Sequence, residues 1–317
     1  MLTIINNETD PLYNLALEEY VFKHLHINED ILLIWQNKNS VIIGRDQNPF
    51  REVNCPYTHK NKIPMFRRLT FGETIYHDLG TINYSFIVRD VKENFDRYNI
   101  FLDPIVKILN ELGVPSHLES DGDICLEGLR ISANTQTYHR NKMIHHGVLF
   151  FNTNLEKLDQ VIEIPTKSEF EYDIVKTKHN GITNIKEYLK EDLSIKQFKK
   201  YLLDKLIGED LIDKQYKLDY IDKTKIKKIA KEKYSTWEWN YGESPKFIIK
   251  KEFDNRMMIT LIVEKGIINR VSIDSFENVM ALVKGLEGSR FDEKSLKERL
   301  RFCTTIDIDK LIETLLF

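Results

Sequence analysis

Arg67-Arg68-Leu69-Thr70-Phe71-Gly72-Glu73-Thr74-Ile75-Tyr76-His77-Asp78-Leu79-Gly80 carries two adjacent arginines into a turn with a hydroxyl and a glycine, and then into a short strand. Successive strand residues point to opposite faces, so at most one of the two arginines lines a given pocket. Taken alone, the stretch also fits a surface β-turn with solvated arginines. Its strand–turn–strand character is shared by the segments around it. Upstream, residues 31–35 and 40–45 are short apolar or β-branched runs, and Asn37-Lys38-Asn39 between them predicts a hairpin. Residues 66–68, 74–77 and 82–88 are further strand candidates. Residues 124–126, the turn Glu127-Gly128 and residues 129–135 predict a second hairpin, with 146–151 as another strand. Helices are fewer. Asp10-Pro11 opens one that runs to Phe22 and carries Glu18-Glu19, and residues 104–112 predict another that stops before Gly113. Strands joined by tight turns with few helices predict an α+β domain with a mostly antiparallel or mixed sheet.

From Leu193 the chain turns lysine-rich and helix-forming. Ile226, Ile229 and Ala230 make a narrow apolar stripe among Lys223, Lys225, Lys227, Lys228, Lys231 and Lys233. After Gly242 and Pro245, residues 247–253, 257–264 and 267–273 read as three strands, followed by a helix over 276–286 and later helical segments. A boundary is therefore expected near Pro245, giving domains 1–245 and 246–317. A chain of 317 residues has room for one large domain and one small one.

The 46 basic and 49 acidic residues leave a net charge of -3, which argues against a nucleic-acid partner needing a strongly basic face. Cys55, Cys125 and Cys303 are odd in number and far apart, so neither a disulfide framework nor a thiolate zinc site is expected. The first residues lack the basic and apolar regions of a signal peptide, and no apolar stretch approaches the ~20 residues that span a bilayer. A reduced, cytoplasmic protein without a membrane partner is the expectation.

Three further segments carry polar chemistry. In Gly122-Asp123-Ile124-Cys125-Leu126-Glu127-Gly128-Leu129-Arg130-Ile131-Ser132-Ala133-Asn134-Thr135-Gln136, Asp123 is a hard oxygen ligand suited to Mg²⁺. Arg130 on the second strand could reach a ligand carboxylate; an ordinary hairpin with a polar face accounts for the same residues. In Ser235-Thr236-Trp237-Glu238-Trp239-Asn240-Tyr241-Gly242, three aromatics in five residues favour a domain seam over a stacked ligand. His145 and His146 are adjacent in a strand and point apart, with no third ligand, so an acyl-pocket or structural role is favoured over a metal site.

In this order, these segments resemble the lipoate–protein ligase family. The resemblance extends to residues 10–19, Trp35-Gln36-Asn37, Val41-Ile42-Ile43-Gly44-Arg45-Asp46-Gln47-Asn48-Pro49, His145-His146-Gly147-Val148-Leu149, Gly181-Ile182-Thr183-Asn184-Ile185 and Trp237-Glu238-Trp239-Asn240. It implies a biotin-ligase-like α+β catalytic domain and a small α+β C-terminal accessory domain that moves between two half-reactions. The first makes lipoyl-AMP and pyrophosphate from lipoate, ATP and Mg²⁺. The second passes the lipoyl group to a lysine of a lipoyl-acceptor domain of the 2-oxoacid dehydrogenase E2 or glycine-cleavage H protein type. A carboxylate attacking a triphosphate needs positive charge and donors placed at the transferring oxygens. Arg67 or Arg68, the turn amides around Thr70 and Gly72, and Mg²⁺ would meet that need. By position, Ile75 and Tyr76 would offer backbone groups to the adenine, and His77 and Asp78 would shape its pocket. Asp123 stands at the metal side, Ser132 and Asn134 line the adenylate, and His146 and Gly147 line the acyl end.

The sequence departs from the family pattern at that same site. The family's turn reads Ser/Thr-Gly-Gly-Gly, where this chain has Thr70-Phe71-Gly72-Glu73. Phe71 loses backbone freedom and adds bulk, and Glu73 adds negative charge. The family's essential lysine precedes Ile/Val-Ser-Gly; Arg130 stands there, before Ile131-Ser132-Ala133, and its planar head does not sit where an ammonium would. Residues 177–180 match a basic family stretch only loosely. The alternative expectation is a divergent member with impaired adenylation that binds ligand or carrier, or a lipoyl transferase. A cysteine-dependent transferase would need a thiolate in the loop after Phe151, where residues 164–166 are Ile-Pro-Thr.

Overall fold

Ile31-Leu32-Leu33-Ile34-Trp35 is apolar at every position, and all five residues are buried because both faces of the strand are covered. In the computed structural model, which describes residues 1–120, 122–162, 181–208, 213–255, 257–303 and 306–316, this strand lies within a five-stranded sheet. Its members are β1 (Leu2–Ile5), β2 (Ile31–Trp35), β6 (Thr81–Arg89), β11 (Lys142–Phe150) and β10 (Ser132–His139), in that order. The β1–β2 pair is parallel and the remaining pairs are antiparallel, so the sheet is mixed. Leu32 and Ile34 face the helices Tyr98–Glu111 and Ile195–Ile207, packing with Phe101, Leu102, Phe198 and Leu202. Ile31, Leu33 and Trp35 face the helix Pro11–Glu19 through Leu15, Ala16 and Leu17.

A second sheet holds β4 (Met65–Arg67), β3 (Ser40–Ile43) and β5 (Ile75–His77), with β3 central. β3 therefore does not form the hairpin with β2 that Asn37-Lys38-Asn39 predicts; its partners are β4, parallel, and β5, antiparallel. The connection is tied down at Asn37, which redirects the chain. Asn14 Nδ2 donates to Gln36 O at 2.8 Å and to Asn37 Oδ1 at 2.9 Å, and Asn37 is fully buried. This sheet packs over the first, where Val41, Ile75 and Tyr76 meet Val148 and Phe150.

The second predicted hairpin forms over a shorter span than 124–135, because residues 132–135 leave it for β10 and pair with β11. β8 (Ile124–Leu126) and β9 (Leu129–Arg130) are antiparallel, and β7 (His117–Leu118) joins β8. Glu127 and Gly128 have φ of 51° and 79°, the left-handed pair that closes a two-residue hairpin loop. The helix expected over 104–112 begins earlier, at Tyr98, with Pro104 inside it, because Phe101 and Leu102 share its buried face with Ile105, Ile108 and Leu109.

After Pro245 the chain forms an antiparallel meander, β12 (Phe247–Phe253), β13 (Met257–Glu264) and β14 (Ile267–Ser275). Phe247, Ile249, Phe253, Ile259, Leu261 and Val263 face the helices Met280–Leu286, Glu293–Leu300 and Ile308–Leu316 in their own core. The helix expected over 276–286 starts only at Met280. Aromatics join this layer to the rest. The Phe50 ring sits 4.7 Å from Phe291, 5.7 Å from Phe247 and 6.0 Å from Tyr241. Trp237 covers Gly266, where an added Cβ would come within 2.4 Å of its ring, and lies under Arg290. Among the described residues no helix is long and apolar enough to cross a membrane.

Candidate active site

Arg67 ends β4 and Arg68 follows it with its amide still bonded to Ile43 O, and their side chains lie in different environments. Arg67 is fully buried and faces the aromatic seam. It donates to the carbonyls of Gly44, Arg45, Gln47, Trp239 and Asn240 and to Ser244 Oγ, at 2.7–3.0 Å. Trp239 Nε1 donates back to Arg67 O at 2.8 Å. In this arrangement Arg67 holds the 44–47 turn and the 239–244 segment together, instead of presenting its charge to a ligand.

Arg68 lies beneath the turn. Its Nε donates to Thr70 Oγ1 at 3.0 Å and its Nη2 to Phe71 O at 2.6 Å. Burial pushes its guanidinium down to about 10 although Glu18 and Glu73 oppose this, so it remains a cation at neutral pH. Gly72 follows with φ of +91°, and an added Cβ would lie 3.1 Å from Arg68 Nη2 and 3.7 Å from Thr135 Cβ. The turn thus rests on β10 with a cation under it. Phe71 is partly exposed on top, and Arg45 approaches its ring face at 5.8 Å.

The hairpin reaches the same place. Arg130 ends β9, where its backbone pairs with residues 181–183: Arg130 N donates to Gly181 O and Thr183 N to Arg130 O. Its Nη1 lies 2.9 Å from Glu73 Oε2, and its Nη2 lies 2.8 Å from Asp123 Oδ2. Two of the residues read above as departures, Glu73 and Arg130, are therefore partners of one another. Asp123 also accepts from Asn134 N at 3.1 Å through Oδ1.

Ser132 and Asn134 extend this network. Ser132 Oγ accepts from Ile124 N at 2.7 Å and from Asn134 Nδ2 at 2.9 Å. Asn134 Oδ1 accepts from Tyr84 Oη, whose phenol is held protonated by burial and by Asp123. Gly147 sits against this pair: a Cβ there would meet Asn134 Oδ1 at 2.2 Å and Tyr84 Cζ at 2.3 Å. No side chain fits.

On the face toward the second sheet, His146 stands opposite Thr135 and Ser85, and Val148 opposite Ala133 and Asn83. His146 Nδ1 is 2.6 Å from Glu18 Oε1, which also accepts from Ser85 Oγ. Burial pushes the Glu18 carboxyl up, but His146, Ser85 and Arg68 together outweigh burial and hold it below the ordinary value. Glu18 Oε2 and both side-chain polar atoms of Asn83 are buried without a hydrogen-bond partner among the described residues. His77 is also buried on this side, 3.1 Å from Asn37 Nδ2, and burial with His146 and Arg68 nearby keeps it neutral. His145 points the other way, stacked on Phe101 at 4.8 Å and 3.1 Å from Gln136 Nε2. Burial lowers it to about 3.

β5 is an edge strand, so the backbone of Ile75 and Tyr76 lies at a sheet margin. Asp78 turns away, accepting from Gly80 N at 2.8 Å and Asn154 N at 2.9 Å. Among the described residues no three His, Cys, Asp or Glu side chains converge as a metal site made of protein ligands alone.

Residues 10–207 match the pattern of the lipoyl protein ligase A/B catalytic domain. Lipoate–protein ligase 1 of Staphylococcus aureus is 35% identical over 302 residues, 93% of this chain and 92% of the relative. The chain belongs to the lipoate–protein ligase family. Lipoate-protein ligase LplJ of Bacillus subtilis is 36% identical over 250 residues, 78% of this chain and 75% of the relative. In fold, P. falciparum LipL1, solved in complex with lipoate, superposes with a TM-score of 0.62 at 20% identity over 99% of both chains.

Within this lipoate–protein ligase family member, residues 177–180 and 164–166, named above for a loose basic match and a missing thiolate, lie outside the described residues. Ser85, Tyr84 and Asn83 escaped the motif reading, and Glu18, though inside the quoted residues 10–19, was not singled out as a site residue; all four border the site. Glu18 left one trace in the sequence, a carboxylate doublet inside an apolar helix. The other three are ordinary strand residues whose role appears only through cross-strand pairing.

Proposed function

We propose that this chain activates lipoate with ATP and passes the lipoyl group to a lysine of a lipoyl-acceptor domain. The observation that carries the reading is the meeting of the Arg68-supported turn with Arg130 and Asp123 from the hairpin. These are the sites of charge and backbone donors that an acyl adenylation requires. A lipoate carboxylate oxygen attacks the α-phosphorus of ATP; that P–O bond forms, the bond to the β-phosphate bridge breaks, and pyrophosphate leaves. The lysine amine then attacks the acyl carbon, the bond to AMP breaks, and the amine loses a proton as the amide forms.

In this reading Arg130 and Arg68 offset the charge of the meeting anions, and the Thr70 and Gly72 amides border the phosphate. The edge of β5 at Ile75 and Tyr76 receives the adenine. Ser132 and Asn134 line the adenylate, and His146 and Gly147 the acyl end. Asp123 is the protein carboxylate assigned to Mg²⁺, an ion that takes one or two carboxylates together with substrate phosphates. Glu73 brings a second carboxylate to the same guanidinium. When bound, the ion supplies positive charge to the triphosphate. Residues 1–245 then form the catalytic domain and 246–317 the accessory domain, supported by the separate core behind β12–β14. The acceptor is of the 2-oxoacid dehydrogenase E2 or glycine-cleavage H protein type. The cytoplasm suits three buried cysteines, Cys55, Cys125 and Cys303, outside any disulfide framework.

Lipoate-dependent release of pyrophosphate from ATP tests the reading. Arg130→Gln should lower it about 100-fold. A folded wild-type protein that binds lipoyl-AMP but releases no pyrophosphate would support the divergent binder instead.

A further inference from the structure

We infer that Glu73 is a positioning residue for Arg130. A guanidinium is useful to an anionic substrate only when its plane is fixed, because the fork recognises oxygens by direction as well as by charge. Here the plane is fixed from two elements. Glu73, from the turn, holds Nη1 at 2.9 Å, and Asp123, from β8's approach, holds Nη2 at 2.8 Å. The Arg130 side chain is 11% exposed, so it has little freedom to adopt another pose, and Asp123 at 12% is nearly as confined.

The turn that carries Glu73 is tied from below. Arg68 Nη2 holds Phe71 O, and Gly72 takes the left-handed backbone that aims the next residue toward the hairpin. Arg68 also faces Glu73 electrostatically. Glu73 is thus opposed by two guanidinium groups, Arg130 in contact and Arg68 nearby, with Arg68 also facing Glu18, so the Glu73 charge does not stand alone before an incoming carboxylate. That balance favours positioning over repulsion. The guanidinium is ordered before substrate arrives, so less ordering remains to oppose binding.

The inference rests on the ligase reading, and the experiment separates the two. Four proteins are compared: wild type, Glu73→Gln, Arg130→Gln and the double variant. Lipoate-dependent pyrophosphate release gives kcat and KM, and titration calorimetry gives lipoyl-AMP affinity. Glu73→Gln should lower kcat/KM about tenfold in the wild-type background, as expected for coupled neighbours, and change it little when Arg130 is already Gln. Glu73→Asp, which keeps the charge, should recover part of the loss.

An equal loss in both backgrounds would show that Glu73 acts independently of Arg130 and overturn the inference. Faster turnover or tighter binding by Glu73→Gln would show repulsion, and would overturn it too. If wild type releases no pyrophosphate, the ligase reading falls, and the same pattern is then sought in lipoyl-AMP affinity. There, background-dependent weakening supports the clamp; its absence, or the absence of any binding, overturns it.

Discussion

Replacing Arg67 by lysine keeps the charge and removes the fork, and the structure fixes what that costs. The guanidinium's five N–H groups reach six acceptors, five backbone carbonyls and Ser244 Oγ, with one Nη1 hydrogen shared. An ammonium has three N–H donors, two fewer, so two or three of the six acceptors lose theirs in a site with no solvent exposure. A buried acceptor left unsatisfied costs about 1–3 kcal/mol, and partial rehydration of the 44–47 turn returns some of it, so about 4 kcal/mol is expected. That is a large share of a total stability of about 5–15 kcal/mol. Urea unfolding followed by tryptophan emission is a suitable assay, because Trp237 and Trp239 both lie at the seam that Arg67 ties. Arg67→Lys should shift the first transition to lower urea and redden emission before the rest of the chain unfolds. A shift below about 1 kcal/mol with unchanged emission would refute the view that Arg67 is a structural tie.

Three further outcomes follow from the same geometry. Asn83→Leu removes a buried amide with no hydrogen-bond partner among the described residues, so it should stabilise the ligand-free protein by about 1–2 kcal/mol; if Asn83 meets a ligand, the rise in Tm with lipoyl-AMP should shrink, and a less stable ligand-free variant would contradict this. His145 is held at about 3 against an ordinary 6.5, so the unfolded chain binds the extra proton between those values. Stability should therefore fall as pH drops from 6.5 toward 3, by up to about 1.4 kcal/mol per pH unit from this group, and His145→Phe should flatten the urea-midpoint profile in that window. Lys225, Lys228 and Lys231 are exposed, whereas Lys233 is anchored on Glu19 at 2.6 Å. Reversing the first three to glutamate should slow modification of an acidic acceptor about tenfold at low salt, leave pyrophosphate release unchanged, and lose its effect at high salt; equal rates at low salt would make this face merely solvated.

Local chemistry carried much of the fold into the sequence. Residues 247–253, 257–264 and 267–273 read as three strands and form β12–β14, and Glu127-Gly128 reads as a turn and adopts the positive φ pair of a tight one. The error over β2 and β3 has a physical reason: turn chemistry reports that the chain reverses or bends, not which strand it then pairs with. At Asn37 the choice was made by Asn14 and His77, residues distant in sequence. The site behaves likewise. Resemblance drew attention to Arg68, Gly72, Asp123 and Arg130, and the structure brings them together. Glu73 and Arg130 read separately as two losses, because a salt bridge between residues 57 positions apart leaves no local pattern. Arg67 and Arg68 look equivalent as a pair of letters; only the strand's alternation, resolved by what each side buries, separates the tie from the turn support.

The most direct test is the complete reaction read on the acceptor. Purified protein is incubated with lipoate, ATP, Mg²⁺ and a lipoyl-acceptor domain, and the acceptor's intact mass is measured. The account predicts one added lipoyl group on the target lysine, dependent on ATP, absent when that lysine is replaced by arginine, and strongly reduced for Arg130→Gln. An unmodified acceptor, under conditions where a related ligase modifies the same preparation, would contradict it.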